Sequence, residues 1–259
     1  MNAMIEPCRL RRHFSKAATR YTQAADIQAA VASELEGKLC LSAGARVLDV
    51  GAGNGMLASA LRRNGADVLA LDAAWGMGCE GRRALPDVTW VQADAGAMPF
   101  RPESFDLVVS SSAYQWVDDL PRAFREVKRV LRPGGKFCAV LFARGTLDEF
   151  FVSMERAAAS SRRVLPRLRR LPSADDVRFA LDEAGFKDPL VAVEQRVSLF
   201  PDVRAVLAWL KNIGANASAR DFFWGKGLLA ATEREYRSGF PEKDKLRVTF
   251  EVAWIEVRA

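Results

Sequence analysis

Between residues 46 and 142 the chain exchanges short apolar runs with longer stretches whose apolar positions recur every third or fourth residue. The runs are Val47, Leu48 and Val50; Val68 to Leu71; Val88 to Ala93; Phe105 to Ser110; and Phe137 to Phe142. Apolar runs of that length bounded by turn residues read as buried strands. Met56, Leu57, Ala58, Ala60 and Leu61 open a helix after the first of them. So regular an alternation predicts an α/β domain built on a doubly wound, mostly parallel sheet. Two helices precede it within residues 9–40, with Phe14, Ala17, Ala18 and Tyr21 on one and Ile27, Ala30, Val31, Leu35 and Leu39 on the other. Beyond 142 the pattern predicts a helix to about Ser160 and another capped by Ser173 and stopped at Gly185. A sixth strand follows over Val191 to Leu199, then helices over Pro201 to Ile213 and Gly227 to Arg237. Leu246 to Val252 alternates cleanly and is expected as a seventh, antiparallel strand with one wet face.

Composition narrows the class. The 259 residues, 49% hydrophobic and 27% charged, suffice for one large globular domain. Met1 to Cys8 lacks a signal-peptide pattern, and the longest apolar run, Phe137 to Ala143, is too short to span a bilayer. Cys8, Cys40, Cys79 and Cys138 are scattered and His13 is the sole histidine, so no metal site is expected and a reducing cytoplasm is the expected home. The net charge of +6 invites a nucleic-acid partner, but no recognisable RNA-binding module accompanies it, and no membrane partner is expected either.

The candidate chemistry gathers at the strand ends. After the first strand, Gly51, Ala52, Gly53 and Gly55 let the backbone pass close to a ligand before the helix begins. A pyrophosphate would welcome Lys or Arg there; the loop has neither and carries Asp49 at its base. That charge suits a ligand with cationic ends, such as the sulfonium and ammonium of S-adenosylmethionine. Asp72, followed by Ala73, ends the second strand where a carboxylate accepts from ribose hydroxyls. Asp94, followed by Ala95, ends the third, placed for an adenine amino group, and Ser110 ends the fourth. Tyr114, Gln115 and Trp116 come next and are candidates for the acceptor pocket, although Tyr114 and Trp116 can equally be core aromatics under the helix that starts near Asp118.

Asp49 with its glycines, Asp72, Asp94 and Leu131-Arg-Pro-Gly-Gly-Lys136 together resemble the class I S-adenosylmethionine-dependent methyltransferases over residues 40–142. Arg12-His-Phe-Ser-Lys-Ala-Ala-Thr-Arg-Tyr21, Ser111 to Trp116, Ala143-Arg-Gly-Thr-Leu147 and Trp209-Leu-Lys-Asn-Ile-Gly-Ala215 extend the likeness to nearly the whole chain. They resemble the malonyl-acyl-carrier-protein O-methyltransferases of biotin synthesis, although Thr22 stands where many members carry an acid. The resemblance implies methylation of the free carboxylate of a malonyl thioester, held by an acyl carrier protein, so that fatty acid synthesis can elongate it toward pimeloyl. Such a carboxylate, with a pKa of about 4, is ionised at neutral pH and needs no general base.

A seven-stranded single domain over 1–259 is therefore expected, with a helical lid over 1–40, a cofactor-binding core over 41–142, and insertions over 143–172 and 200–240 on the acceptor side. Tyr21 is the candidate to close over the cofactor, or else packs against the domain. Arg144 and Lys211 are the candidates to hold the acceptor carboxylate, or else are surface charges. Arg162, Arg163, Arg167, Arg169 and Arg170 form a basic segment expected to dock the acidic carrier. Two other readings stay open: methylation of another small molecule such as a quinone, and a non-catalytic S-adenosylmethionine-binding assembly factor.

Overall fold

A computed structural model of the chain describes residues 7–165, 169–215 and 225–259. Its centre is a seven-stranded sheet of β1 (Arg46–Val50), β2 (Asp67–Asp72), β3 (Thr89–Gln92), β4 (Phe105–Ser111), β5 (Leu131–Phe142), β6 (Leu190–Phe200) and β7 (Leu246–Arg258). The order across the sheet is β3-β2-β1-β4-β5-β7-β6. β1 to β5 are parallel, and β7 runs antiparallel between β5 and β6. The chain winds outward from β1 to β3 and restarts at β4 beside β1. The crevice at the carboxyl ends of these two strands is where an open α/β sheet receives its ligand.

Successive strand residues point to opposite faces, so the sheet separates two cores. Val47 joins Val31, Leu35, Leu57 and Leu61 on one face, and Leu48 and Val50 join Phe124, Val127, Val177 and Leu181 on the other. The first face is covered by α2 (Asp26–Lys38), α3 (Met56–Arg63), α6 (Asp148–Ser160), α8 (Val203–Asn212) and α9 (Lys226–Gly239), the second by α5 (Leu120–Val130) and α7 (Ala174–Glu183). Caps fix where these helices start. Asp119 accepts from the backbone N–H of Arg122 at 2.9 Å, and Ser173 and Asp176 form a reciprocal capping box on α7. Helix α1 (Pro7–Ala24) lies against α4 (Trp75–Ala84) and α8. No helix among the described residues is long and apolar enough to cross a membrane.

Trp75–Ala84 forms α4 although it holds Gly76, Gly78 and Gly81. A Cβ on Gly81 would sit 2.1 Å from the Trp90 ring, so the glycine is required for the helix to lie on β3. The expected wet face of the seventh strand is kept only in part: between Leu246 and Val252, Arg247 is exposed and Glu251 partly so, while Thr249 is buried against Glu149. Beyond β5 the edge of β7 is taken by residues 143–149, where Ala143 and Leu147 donate to the carbonyls of Glu251 and Thr249, and Glu149 accepts from the Thr249 backbone and hydroxyl. Further along, Ala253, Ile255 and Val257 join the second core and Trp254 packs on the first.

Candidate active site

A cavity of about 320 Å³ opens at the carboxyl ends of β1, β2, β3 and β4. Gly51 and Gly53 bring the backbone of the first turn to it, both with positive φ. At Gly51 a Cβ would fall 2.2 Å from that of Ala113, so no side chain fits between the β1 and β4 loops. Asp72 fixes the turn: its Oδ2 accepts from the N–H of Gly53 at 2.8 Å and its Oδ1 from that of Ala74 at 2.7 Å. Burial raises the pKa of Asp72, against the pull of those two N–H groups and the charge of Arg11. At the end of β3, Asp94 accepts from the N–H of Gly96 at 2.7 Å and is ion-paired with Arg11.

Behind the glycine turn, Asp49 is 1% exposed and its Oδ2 has no hydrogen-bond partner. Burial, with the repulsion of Asp72, pushes its pKa up to about 7, while an N–H from Ala58 acts in the opposite sense. No Lys or Arg belongs to the turn. Asp49 does not itself line the cavity but stands behind the lining residues Val50 and Gly51. A buried carboxylate with one oxygen unsatisfied is costly unless a cation or donor arrives, so these residues fit a ligand carrying positive charge.

Helix α1 lines the cavity and touches the turn after β1, the first turn of α4 and the end of β3. Arg11 reaches Asp94, the Ser15 hydroxyl accepts from the N–H of Gly76 at 3.1 Å, and Thr22 accepts from the Asn54 amide at 2.6 Å. Leu10, Phe14 and Tyr21 complete its contribution. Tyr21 is partly buried, and burial and the charge of Asp72 raise its pKa, so it stays a protonated donor. Beyond β4, Trp116 meets Phe14 edge-on at 5.5 Å. The Tyr114 ring packs on Phe124 and Phe137, yet the residue lines the cavity and its hydroxyl has no partner. Tyr114 is thus both core aromatic and pocket floor.

Of the residues singled out in the sequence, the cavity brings together Tyr21, Gly51, Gly53, Asp72, Ala73, Asp94, Ala95, Tyr114, Trp116 and Arg169. Others stand apart. Ala52 and Gly55 are set back, Gly55 against Leu85 and Trp90, and the buried Ser110 hydroxyl donates to the Val50 carbonyl at 2.7 Å, tying β4 to β1. Gln115 is buried, its amide donating to the Ser112 carbonyl at 2.8 Å.

Neither proposed carboxylate cation lines the cavity. Arg144 is ion-paired at 2.6 Å with Asp176 at the start of α7, and Lys211 is exposed on the last turn of α8. Among the described residues of 200–240 none lines the cavity; α8 and α9 cover the sheet instead. Arg162, Arg163 and Arg170 are exposed, and Arg167 lies outside the described residues. Arg169 differs from them, for Asp118 holds it at 2.6 Å and turns it inward. Sequence reasoning missed Arg11 and Arg122; the only signal for either was its place in a basic helix.

A family model described as a methyltransferase domain matches residues 48–139. A malonyl-acyl-carrier-protein O-methyltransferase of Geobacter sulfurreducens is 37% identical to this chain over 97% of it and 98% of the relative. The biotin biosynthesis bifunctional protein BioHC of Cellvibrio japonicus is 31% identical over 82% of this chain and 42% of its own length. Among solved structures, the YcgJ protein of Bacillus subtilis superposes with a TM-score of 0.64 at 19% identity, covering 88% of this chain and 97% of that one.

Proposed function

This chain belongs to the malonyl-acyl-carrier-protein O-methyltransferase family, and from that premise we propose that it methylates the free carboxylate of malonyl-acyl carrier protein, an early step of biotin synthesis. The observation that carries the reading is the buried carboxylate of Asp49, whose Oδ2 has no partner, behind a glycine turn without a cation. S-adenosylmethionine, when bound, supplies an electrophilic methyl group that a carboxylate oxygen takes as the carbon–sulfur bond breaks, so no proton has to move. Asp49 neutralises the charge of that ligand, Asp72 keeps lone pairs for ribose hydroxyls, and Asp94 accepts from the adenine. Of the expected lid over 1–40, helix α1 alone takes that role, with Tyr21 donating into the cavity, while α2 packs on the sheet. Because the acceptor oxygen is already anionic, these residues orient and exclude water rather than abstract a proton.

Exposed Arg162, Arg163 and Arg170 form the face presented to the acidic carrier. The four cysteines are free, which suits a reducing cytoplasm. The test is direct. Purified protein is incubated with S-adenosylmethionine and malonyl-acyl carrier protein, malonyl-coenzyme A or free malonate, and each is weighed by mass spectrometry. A one-methyl gain on the malonyl carrier is expected. No gain on any of the three, with the cofactor bound, would overturn the reading in favour of a binding role.

A further inference from the structure

An acceptor carboxylate entering a water-poor cavity needs a cation to meet it. Among the described residues three cations line this one: Arg11, Arg122 and Arg169. Arg11 is held by Asp94, and the Nε of Arg122 donates to the Gly96 carbonyl at 2.8 Å, so both serve the end of β3. Arg169 comes instead from the segment between α6 and α7 and is held on the loop after β4. Its Nη1 donates to Asp118 at 2.6 Å, its Nε lies 3.4 Å from the Gln115 carbonyl, and its side chain is 16% exposed. A guanidinium has five N–H donors, so the remainder of this one is left for a ligand.

The loop that Arg169 grips has the marks of a built site. Ser112 is held at φ +58°, strained for a residue with a Cβ. The Ser112 hydroxyl oxygen is buried without a partner, and so is the hydroxyl of Tyr114, a residue 1% exposed that lines the cavity. Buried polar atoms are rarely left so unless a water or a ligand supplies the missing bond, and these two belong to one loop beside the cavity.

We infer that Arg169 binds the acceptor carboxylate, with the Tyr114 hydroxyl donating to another acceptor oxygen. The inference rests on the function proposed above and names the cation that selects its substrate. It moves Arg169 from the carrier-docking surface to the acceptor seat. Asp118 and Gln115 hold the guanidinium through Nη1 and Nε, and Nη2 is the nitrogen that remains to donate to the acceptor carboxylate.

Acyl carrier protein loaded with malonyl or with propionyl, which lacks the carboxylate, provides the test. Both are measured as ligands of the wild type, Arg169→Met and Arg169→Lys saturated with S-adenosylhomocysteine, which has no methyl to transfer, alongside malonyl turnover, S-adenosylmethionine affinity and melting temperature. The wild type should prefer malonyl by roughly 10- to 100-fold, the scale of a charge-assisted hydrogen bond. That preference should fall to near unity in Arg169→Met and partly return in Arg169→Lys, with cofactor affinity retained. A merely structural clamp to Asp118 would instead weaken malonyl and propionyl carriers alike. Equal weakening, or a preference that survives Arg169→Met, overturns the assignment while wild-type turnover of malonyl carrier still supports the function. If the wild type does not methylate malonyl carrier, it is the proposed function that fails.

Discussion

A carboxyl group taken out of water with no cation beside it holds its proton longer, and Asp49 does so up to about pH 7. The sign of the consequence follows from linkage. Unfolded, Asp49 would ionise near pH ~4; folded, it keeps its proton until about 7. Its contribution to stability is therefore fully present below the lower value and is lost as pH rises between the two. A cationic ligand reverses the preference, because it binds the ionised form best. S-adenosylmethionine affinity should thus weaken by up to about tenfold for each pH unit below 7 and level off above it, with a proton released on binding. Calorimetry at pH 6, 7 and 8 in buffers of different ionisation enthalpy would measure both. Asp49→Asn should flatten the profile; an unchanged profile in that variant would assign the titration to another group.

At the scale of elements, α1 is fastened at three separate places, to the turn after β1, the first turn of α4 and the end of β3. If α1 is the lid proposed above, release of a ligand beneath it requires Arg11–Asp94, Ser15–Gly76 and Thr22–Asn54 to loosen. Exposed ion pairs contribute ~0.2–1 kcal/mol, so Arg11→Ala should speed S-adenosylmethionine release by roughly two- to fivefold with little change in melting temperature. Stopped-flow displacement would read it, and an unaltered rate would mean that α1 does not gate the site. The strands beneath this helix were legible in the sequence because burial on both faces forces long apolar runs, and the glycine turn because few sequences need three glycines after a strand. Gly76 and Gly81 inside α4 were not legible as packing residues, since they answer to Ser15 on α1 and to Trp90 on β3, contacts that only the folded chain makes. The destinations of Arg144 and Arg169 were hidden for a related reason. Each is set by one acid, Asp176 or Asp118, that only the folded chain brings near.

For the whole molecule the excess of 38 basic over 32 acidic residues acquires a direction. Part of it lies in the segment after α6, where Arg162, Arg163 and Arg170 stay exposed while Arg169 lines the cavity. An acidic carrier approaching that segment would deliver its thioester toward Arg169, so docking and carboxylate selection would draw on one short stretch of chain. The two roles separate by their response to salt. Rim charges act on encounter and are screened over ~8 Å at physiological ionic strength, whereas a guanidinium inside the cavity is shielded from the ions. Reversing Arg162, Arg163 and Arg170 to Glu together should cut kcat/KM for malonyl-acyl carrier protein by roughly tenfold at low salt, and the loss should shrink as salt is raised. Malonyl-coenzyme A, which offers little protein surface, should be affected much less. Steady-state kinetics on both substrates across a salt series would decide it, with equal losses on the two, or a loss indifferent to salt, removing these arginines from the docking surface.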